Sequence, residues 1–191
     1  MTYPTSAMRL YAAAGERLYV NREERTAFKD CADKQDTELR LLCLTLLYSG
    51  CRLSEALNLR IQDIQPACGI LSVRTLKKRQ QGHIREIPLP TDFLEELKQA
   101  FSSHGRSDRL WQCHRSTAWR QIKKVMRQAG IQGKQASPKG LRHSFGMSCA
   151  YHGVPITLCC RWMGHSSITV TAIYYQMTGK EELEMAGRLW E

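Results

Sequence analysis

Apolar residues recur at helical spacing along most of the chain. The most apolar stretch is Thr37 to Ser49, where leucines and a cysteine occupy nearly every face of a helix. A helix that is apolar all round is buried, so this segment is predicted to be the central helix of the core. Asp36 can cap its first turn and Gly50 can end it.

Amphipathic segments predict further helices around this central one. One helix is predicted to begin after Asn21, one after Pro90, and one to run from Pro155 to Gly164. A short helix follows Ser166 or Ser167, and the others cover residues 53–58, 117–129, 139–152 and 180–190. The helix over 117–129 has an apolar face that includes Trp119. Its opposite face is basic and consists of Arg120, Lys123, Lys124 and Arg127.

Two short segments have strand composition instead. Residues 69–75 and 83–89 are rich in β-branched and alternating apolar residues, and a polar turn at 77–82 separates them. The predicted fold class is therefore mainly α with a small antiparallel β-sheet, an α+β fold. Residues 1–20 are weakly patterned and are interpreted as an N-terminal arm, mobile or briefly helical. Residues 21–191 are predicted to form one domain.

The charge balance indicates a polyanionic partner. The sequence has 28 Lys and Arg against 18 Asp and Glu, a net charge of +10. Such a basic chain favours nucleic acid over an anionic membrane as its partner. The longest apolar run, residues 39–48, is too short to span a bilayer. The N-terminus lacks a secretion signal, and the eight cysteines contain no Cys-x-x-Cys pair. Free thiols and a cytoplasmic location are expected, and the histidine spacing predicts no structural zinc.

Three motifs carry the candidate chemistry. The first begins Tyr-Ser-Gly-Cys-Arg-Leu-Ser-Glu at Tyr48, the second is Lys-Gly-Leu-Arg-His-Ser-Phe-Gly at 139–146, and the third is Trp-Met-Gly-His-Ser-Ser-Ile-Thr-Val-Thr-Ala-Ile-Tyr at 162–174. Their order and spacing resemble the catalytic domain of the tyrosine recombinase (phage integrase) family over residues 21–180. The polar turn at 77–82 corresponds to the hairpin on which that family carries a catalytic lysine.

Arginine and histidine in these motifs suit a phosphodiester. Each guanidinium can form two parallel hydrogen bonds to phosphate oxygens, which lysine cannot do. Arg52 and Arg142 are assigned to such a clamp, and His165 is assigned as a further hydrogen-bond donor that stabilises charge in the transition state. Glu55, one helical turn after Arg52, is expected to orient Arg52 or a neighbouring group rather than to take part in the chemistry.

A tyrosine beside the clamp can attack the phosphorus. Tyr174 follows His165 by nine residues and is the preferred nucleophile, with Tyr175 as the alternative. A free phenol has a pKa of about 10, so it needs nearby positive charge and a proton acceptor. The resemblance implies a 3′-phosphotyrosyl intermediate and a 5′-hydroxyl leaving group. Lys77, or alternatively Lys78, would supply the proton to that oxygen.

The remaining assignments concern neighbours of these residues. Lys139 occupies the position where the family usually has histidine, so it keeps a positive charge but is a poor proton acceptor. His143 is either a packing residue or a support for the site. Residues expected to bind DNA are Lys78, Arg79, Lys123, Lys124 and Arg127. The resemblance implies no metal ion and no other cofactor.

The resemblance implies a site-specific DNA recombinase that integrates, excises, inverts or resolves a mobile element. Its partners would be double-stranded DNA and other copies of the chain, four on two DNA sites, with residues 180–191 docking on a neighbour. Most members carry an N-terminal helical domain, and only residues 1–20 precede the catalytic domain here, so weaker and more salt-sensitive DNA binding is expected. The alternatives are an inactive DNA-binding regulator or accessory protein of the same fold and a topoisomerase-like DNA-relaxing enzyme.

Overall fold

The computed structural model describes residues 9–76, 82–176 and 180–190, and these are mainly helical. The helices are α1 (Arg22–Ala32), α2 (Thr37–Ser49), α3 (Leu53–Ala56), α4 (Thr91–Ala100), α5 (Arg115–Gln128), α6 (Pro138–Tyr151), α7 (Ile156–Met163), α8 (Ile168–Ala172) and α9 (Lys180–Gly187). The strands are β1 (Ile64–Gln65), β2 (Ile70–Arg74) and β3 (Ile84–Pro88). This architecture confirms the predicted α+β class.

Helix α2 is the centre of the core, with the predicted bounds. The Asp36 side chain accepts a hydrogen bond from the Leu39 amide at 3.0 Å, and Gly50 ends the helix in the left-handed conformation. A Cβ at Gly50 would lie 2.5 Å from the Phe145 ring. Only glycine therefore permits α6 to approach the end of α2 this closely. This contact brings the first and second motifs together.

The three strands form one antiparallel sheet in the order β1–β2–β3. In β3, Arg85 and Ile87 are buried and the residues between and beside them are exposed. Arg85 pairs with Val73 of β2. The sequence did not predict β1, because a strand of two residues is too short to show alternation.

Trp119 is not on the inner face of α5, contrary to the prediction. Its side chain is 41% exposed, and its ring centroid lies 5.7 Å from the Lys123 ammonium nitrogen. Ala118 and Ile122 are fully buried and define the inner face. Trp119 lies at the edge of that stripe, so its large ring extends over Lys123, one turn further along the helix.

The described part of the arm, residues 9–20, forms a turn rather than a helix. An isolated β-bridge joins Tyr11 and Arg17 across this turn. Tyr19 and Val20 are buried at its end. The packing of these two residues ties the end of the arm to the helical core.

The described residues contain no helix that is long and apolar enough to cross a membrane. All eight cysteines are free, and half of them are buried: Cys43, Cys51, Cys149 and Cys159. Cys149 and Cys159 belong to a small apolar cluster with Phe145, Met163 and Tyr174. This second cluster packs the third motif against α6.

Candidate active site

Arg52 lies at the start of α3, immediately beyond the turn that ends α2. Its Nη1 donates to Glu55 Oε1 at 2.8 Å, and its backbone amide donates to Glu55 Oε2 at 2.9 Å. The Arg52 side chain is 28% exposed, whereas that of Glu55 is only 1% exposed. A buried carboxylate therefore holds Arg52 at the surface.

Arg142 projects from the first half of α6 into the interior. Ser137 caps this helix by accepting from the Gly140 amide at 3.1 Å. The Arg142 guanidinium is buried and donates to the carbonyl oxygens of Gly50 at 2.7 Å and Met163 at 2.5 Å. Burial, and then the like charge of Arg52, lower the pKa of Arg142 to about 10. The two guanidinium groups therefore lie within electrostatic range of each other.

Tyr174, the last residue of the third motif, is fully buried against α6. Its hydroxyl lies 3.0 Å from His143 Nδ1. Burial raises the pKa of Tyr174 above its ordinary value, and the positive charges of Arg142 and Arg52 oppose that rise. A Cβ at Gly146 would lie 2.7 Å from the Tyr174 ring, so this glycine makes room for the tyrosine.

His165 follows Gly164, which ends α7 in the left-handed conformation. The His165 ring lies parallel to that of Tyr174, with 6.2 Å between centroids and an interplanar angle of 15°. Its Nδ1 lies 2.9 Å from Thr171 Oγ1. The third motif thus places the histidine directly beside the tyrosine.

His143 contacts the candidate nucleophile rather than serving only to pack the core. It is fully buried, and its Nδ1 bonds to the Tyr174 hydroxyl. Burial, followed by the charges of Lys139 and Arg142, lowers the pKa of His143 to about 4. The imidazole is therefore neutral at pH 7 and cannot take up the phenol proton efficiently there.

Tyr175 points away from this cluster. Its hydroxyl donates to the Val154 carbonyl oxygen at 2.5 Å, in the connection between α6 and α7. The charges of Arg52 and Arg142 act on Tyr174. These contacts favour Tyr174 over Tyr175 as the nucleophile.

The predicted basic residues are dispersed. Lys139 is exposed in the first turn of α6, and Lys124 and Arg127 are exposed on α5. Lys123 is partly buried and donates to the Ala136 carbonyl oxygen at 2.6 Å, so the expectation that it faces outward is only partly correct. This contact ties α5 to the loop before α6. Lys77, Lys78 and Arg79 lie outside the described residues.

Arg85 is a further residue of the site, and it was not predicted from the sequence. Its side chain is 0% exposed, and its Nη2 lies 2.5 Å from Glu55 Oε2. Burial by itself would raise the pKa of Glu55, but the charge and hydrogen bond of Arg85, together with the Arg52 contacts, bring that pKa below its ordinary value. The sequence did contain a sign that Arg85 is buried. Side chains alternate between the two faces of a strand, and this places Arg85 on the same face of β3 as the core residue Ile87.

No group of three or more histidine, cysteine, aspartate or glutamate side chains among the described residues could hold a metal ion. The site is built instead from cationic and aromatic side chains. The residues that it brings together are Arg52, Glu55, Arg85, Arg142, His143, His165 and Tyr174.

Comparison with known proteins gives consistent matches. The model of the phage integrase family matches residues 16–181. The tyrosine recombinase XerA of Pyrococcus furiosus is 33% identical over 159 residues, which cover 78% of this chain and 54% of that protein. The chain spans about half the length of this relative.

Solved structures share the fold. The crystal structure of XerA recombinase has a TM-score of 0.77 and 26% identity, covering 91% of this chain and 65% of that one. The Tn1549 transposon integrase, solved in complex with transposon right end DNA, has a TM-score of 0.68 and 18% identity. That match covers 91% of this chain and 66% of that one, and at this identity it shows the fold alone.

Proposed function

The chain belongs to the phage integrase family, and on that premise we propose that residues 21–191 are the catalytic domain of a site-specific DNA recombinase, preceded by an arm at 1–20. The reaction cleaves and rejoins DNA through a 3′-phosphotyrosyl intermediate. The observation that carries this proposal is the position of Tyr174, whose hydroxyl lies 3.0 Å from His143 Nδ1 and whose ring lies 6.2 Å from that of His165, within the field of Arg142 and Arg52.

The two arginines bind the scissile phosphate. Arg52 is the more accessible and presents its guanidinium at the surface while Glu55 fixes one edge. Arg142 is held by two backbone carbonyls, which set the direction of its remaining donors. Positive charge arranged in advance stabilises the charge that develops on the phosphate oxygens as the nucleophile adds. His165 adds a hydrogen-bond donor on the Tyr174 side.

Tyr174 Oη forms a bond to phosphorus, and the bond from phosphorus to the 5′ oxygen breaks. The phenol gives its proton to solvent water, and the departing 5′ oxygen gains a proton from Lys77. Rejoining reverses these steps when a 5′-hydroxyl attacks the phosphotyrosine. The energy of the phosphodiester is kept in the protein–DNA bond throughout, so rejoining requires no nucleotide cofactor.

In this structure the Tyr174 hydroxyl is not placed to attack a phosphate. The Tyr174 hydroxyl is buried and bonded to His143, so a phosphate cannot reach it there. We infer that DNA binding moves Tyr174 out of the cluster and toward the arginines. Leaving this buried site removes the desolvation that raises the pKa of the phenol.

The DNA backbone is proposed to follow the basic surface next to the site. The proposed phosphate contacts are Lys124 and Arg127 on α5, Lys139 on α6, and Lys78 and Arg79 between β2 and β3. Lys139 lies one helical turn before His143 on α6, and its charge helps to lower the pKa of His143, the hydrogen-bond partner of Tyr174. Loss of any one phosphate contact is expected to weaken binding similarly on all sequences and to reduce the salt dependence.

Other copies of the chain are the proposed protein partners, in a tetramer on two DNA sites, and the cytoplasm is the proposed location. Beyond α9, Leu189 and Trp190 are exposed, as is Leu183 within it. A cavity of about 690 Å³ lies between α1, α2, α6 and α9, lined in part by Leu47 and Tyr48. An apolar segment next to an open cavity supports exchange of C-terminal segments between copies.

Covalent capture tests the proposed function. The protein is incubated with a pool of nicked duplexes of randomised sequence, in which the short fragment released by cleavage diffuses away. The wild type is expected to trap DNA, and sequencing of the trapped strands should enrich one site. Tyr174→Phe removes only the nucleophilic hydroxyl and should trap none, whereas Tyr175→Phe should trap normally. Binding without trapping by the wild type would instead support an inactive DNA-binding regulator.

A further inference from the structure

Arg85 lies outside all three motifs, yet it contacts residues from two of them. We propose that Arg85 is a positioning residue for the cleavage reaction, holding Glu55 so that Glu55 holds Arg52 against the scissile phosphate. This inference rests on the proposed recombinase function and adds a residue to it.

A shared carboxylate links the two arginines. Glu55 Oε2 lies 2.5 Å from Arg85 Nη2, and Glu55 Oε1 lies 2.8 Å from Arg52 Nη1. Because Arg85 occupies one carboxylate oxygen from within the core, the other oxygen is directed toward the surface and toward Arg52. The orientation of Arg52 therefore depends on a contact that Arg52 itself does not make.

Arg85 is fixed by two further hydrogen bonds in different directions. Its Nε donates to the Trp162 carbonyl oxygen at 2.8 Å, and its Nη1 donates to Thr75 Oγ1 at 3.2 Å. Trp162 belongs to α7, three residues before His165, and Thr75 follows β2. One planar guanidinium thus joins the first motif, the sheet and the third motif.

Gly164 provides independent evidence for this role. A Cβ at Gly164 would lie 3.1–3.2 Å from Cδ, Nε and Cζ of Arg85. The turn that carries His165 therefore rests directly on the Arg85 side chain. The glycine before the histidine serves two purposes, since it permits a φ of +62° and leaves space for the guanidinium.

A purely stabilising role is a poor explanation for this pair. Buried ion pairs are often no more stabilising than apolar side chains of similar volume, because both charges lose their hydration. The Arg85–Glu55 pair is not isolated in the core, because the Glu55 carboxylate also pairs with the partly exposed Arg52. The geometry points to control of that side chain.

The test measures DNA binding and cleavage separately in the full chain, on the duplex that the wild type enriches by capture. Arg85→Lys keeps the charge and can still pair with Glu55, but an ammonium cannot reach all three acceptors in the planar arrangement. The expected result is a fall on the order of 100-fold in the single-turnover cleavage rate at saturating DNA, the loss typical of a misplacement of about 1 Å. DNA affinity should change by less than about twofold, because Arg85 is buried and touches no phosphate.

A double-mutant cycle with Arg52→Ala separates positioning from general structural damage. If Arg85 acts through Arg52, most of the loss caused by Arg85→Lys disappears in the Arg52→Ala background. Arg40→Lys is the matched control, since Arg40 pairs with Asp33 and Glu96 at the opposite end of α2. It should cleave at the wild-type rate.

The outcomes are distinguishable. The role of Arg85 is overturned if Arg85→Lys cleaves DNA at the wild-type rate. It is also overturned if the losses in cleavage rate caused by Arg85→Lys and Arg52→Ala are additive. Neither result affects the proposed function. Failure of the wild type to form any covalent complex overturns both. If Arg85→Lys unfolds at a lower temperature than the wild type, the paired variant Glu55→Gln/Arg85→Met is used instead, because it removes both buried charges together. A folded paired variant with normal cleavage also overturns the proposal.

Discussion

At the scale of single residues, Tyr174 and His143 form a buried neutral pair. Burial raises the pKa of the tyrosine and lowers that of the histidine, so both groups are held in their uncharged forms. Their hydrogen bond of 3.0 Å satisfies the tyrosine hydroxyl inside the core. The same contact keeps the hydroxyl of the proposed nucleophile away from solvent.

The pair predicts a specific pH dependence of stability. The folded-state pKa of His143 is about 4, and the unfolded-state value is about 6.5. The unfolded chain therefore binds more protons between these values, and stability falls as the pH is lowered from 6.5 to 4. Relative to His143→Gln, the wild type should lose about 3 kcal/mol more of its unfolding free energy between pH 7 and pH 4.

Urea unfolding at a series of pH values measures this difference. His152→Gln is the control, because His152 is exposed at the end of the same helix. Its curve should follow that of the wild type. Curves for the wild type and His143→Gln that remain parallel down to pH 4 would contradict the buried neutral state of His143.

At the scale of elements, close approaches at two glycines position α6. Gly50 allows the end of α2 to meet Phe145, and Gly146 allows α6 to meet Tyr174. Both contacts lie near the middle of α6, within four residues of Arg142 and His143. One glycine from the first motif and one from the second therefore bring α6 close to α2 and to Tyr174.

Gly146→Ala is predicted to act through the Tyr174 ring. Its methyl group would lie 2.7 Å from that ring, and overpacking of this kind costs about 1–3 kcal/mol of unfolding free energy. In a Tyr174→Ala background the ring is gone, so the same substitution should become neutral or stabilising, since alanine favours a helix by about 1 kcal/mol over glycine. Denaturant titration of the four proteins measures this. An equal cost in both backgrounds would show that the ring is not the cause.

The sequence predicted most elements but few contacts. The bounds of α2 followed from local signals, namely the all-round apolar pattern, Asp36 and Gly50. The pair between Arg85 and Glu55 could not be predicted, because it joins residues thirty positions apart and depends on the register of β2 and β3. The exposure of Trp119 and the burial of Tyr174 likewise depend on neighbours distant in sequence.

At the scale of the whole molecule, the C-terminal segment is docked on its own chain. The Arg188 guanidinium lies 4.2 Å from the Tyr151 ring centroid, and its Nη1 donates to the Tyr151 carbonyl oxygen. Arginine and tyrosine contacts of this kind contribute about 0.5–1 kcal/mol each at exposed sites. Such modest contacts can be exchanged for others in the proposed assembly of copies on DNA.

Assembly on DNA should therefore depend on the exposed apolar end. Trp190 is 84% exposed, and a buried tryptophan at an interface commonly contributes about 2 kcal/mol, or roughly 30-fold in affinity. Trp190→Glu should weaken formation of complexes with two DNA sites by about that factor in mass photometry, without weakening binding to one site. Tyr11→Glu, at an exposed aromatic outside this segment, is the control. Equal assembly by Trp190→Glu and the wild type would contradict the proposed use of this segment.

The main proposal is that Tyr174 forms the covalent bond to DNA. Peptide mapping of the covalent complex tests it directly. The trapped complex is digested with nuclease and protease, and tandem mass spectrometry locates the residue that keeps a nucleotide 3′-phosphate. We expect a single adduct on Tyr174, absent in Tyr174→Phe. An adduct on Tyr175 or on any other side chain would contradict it.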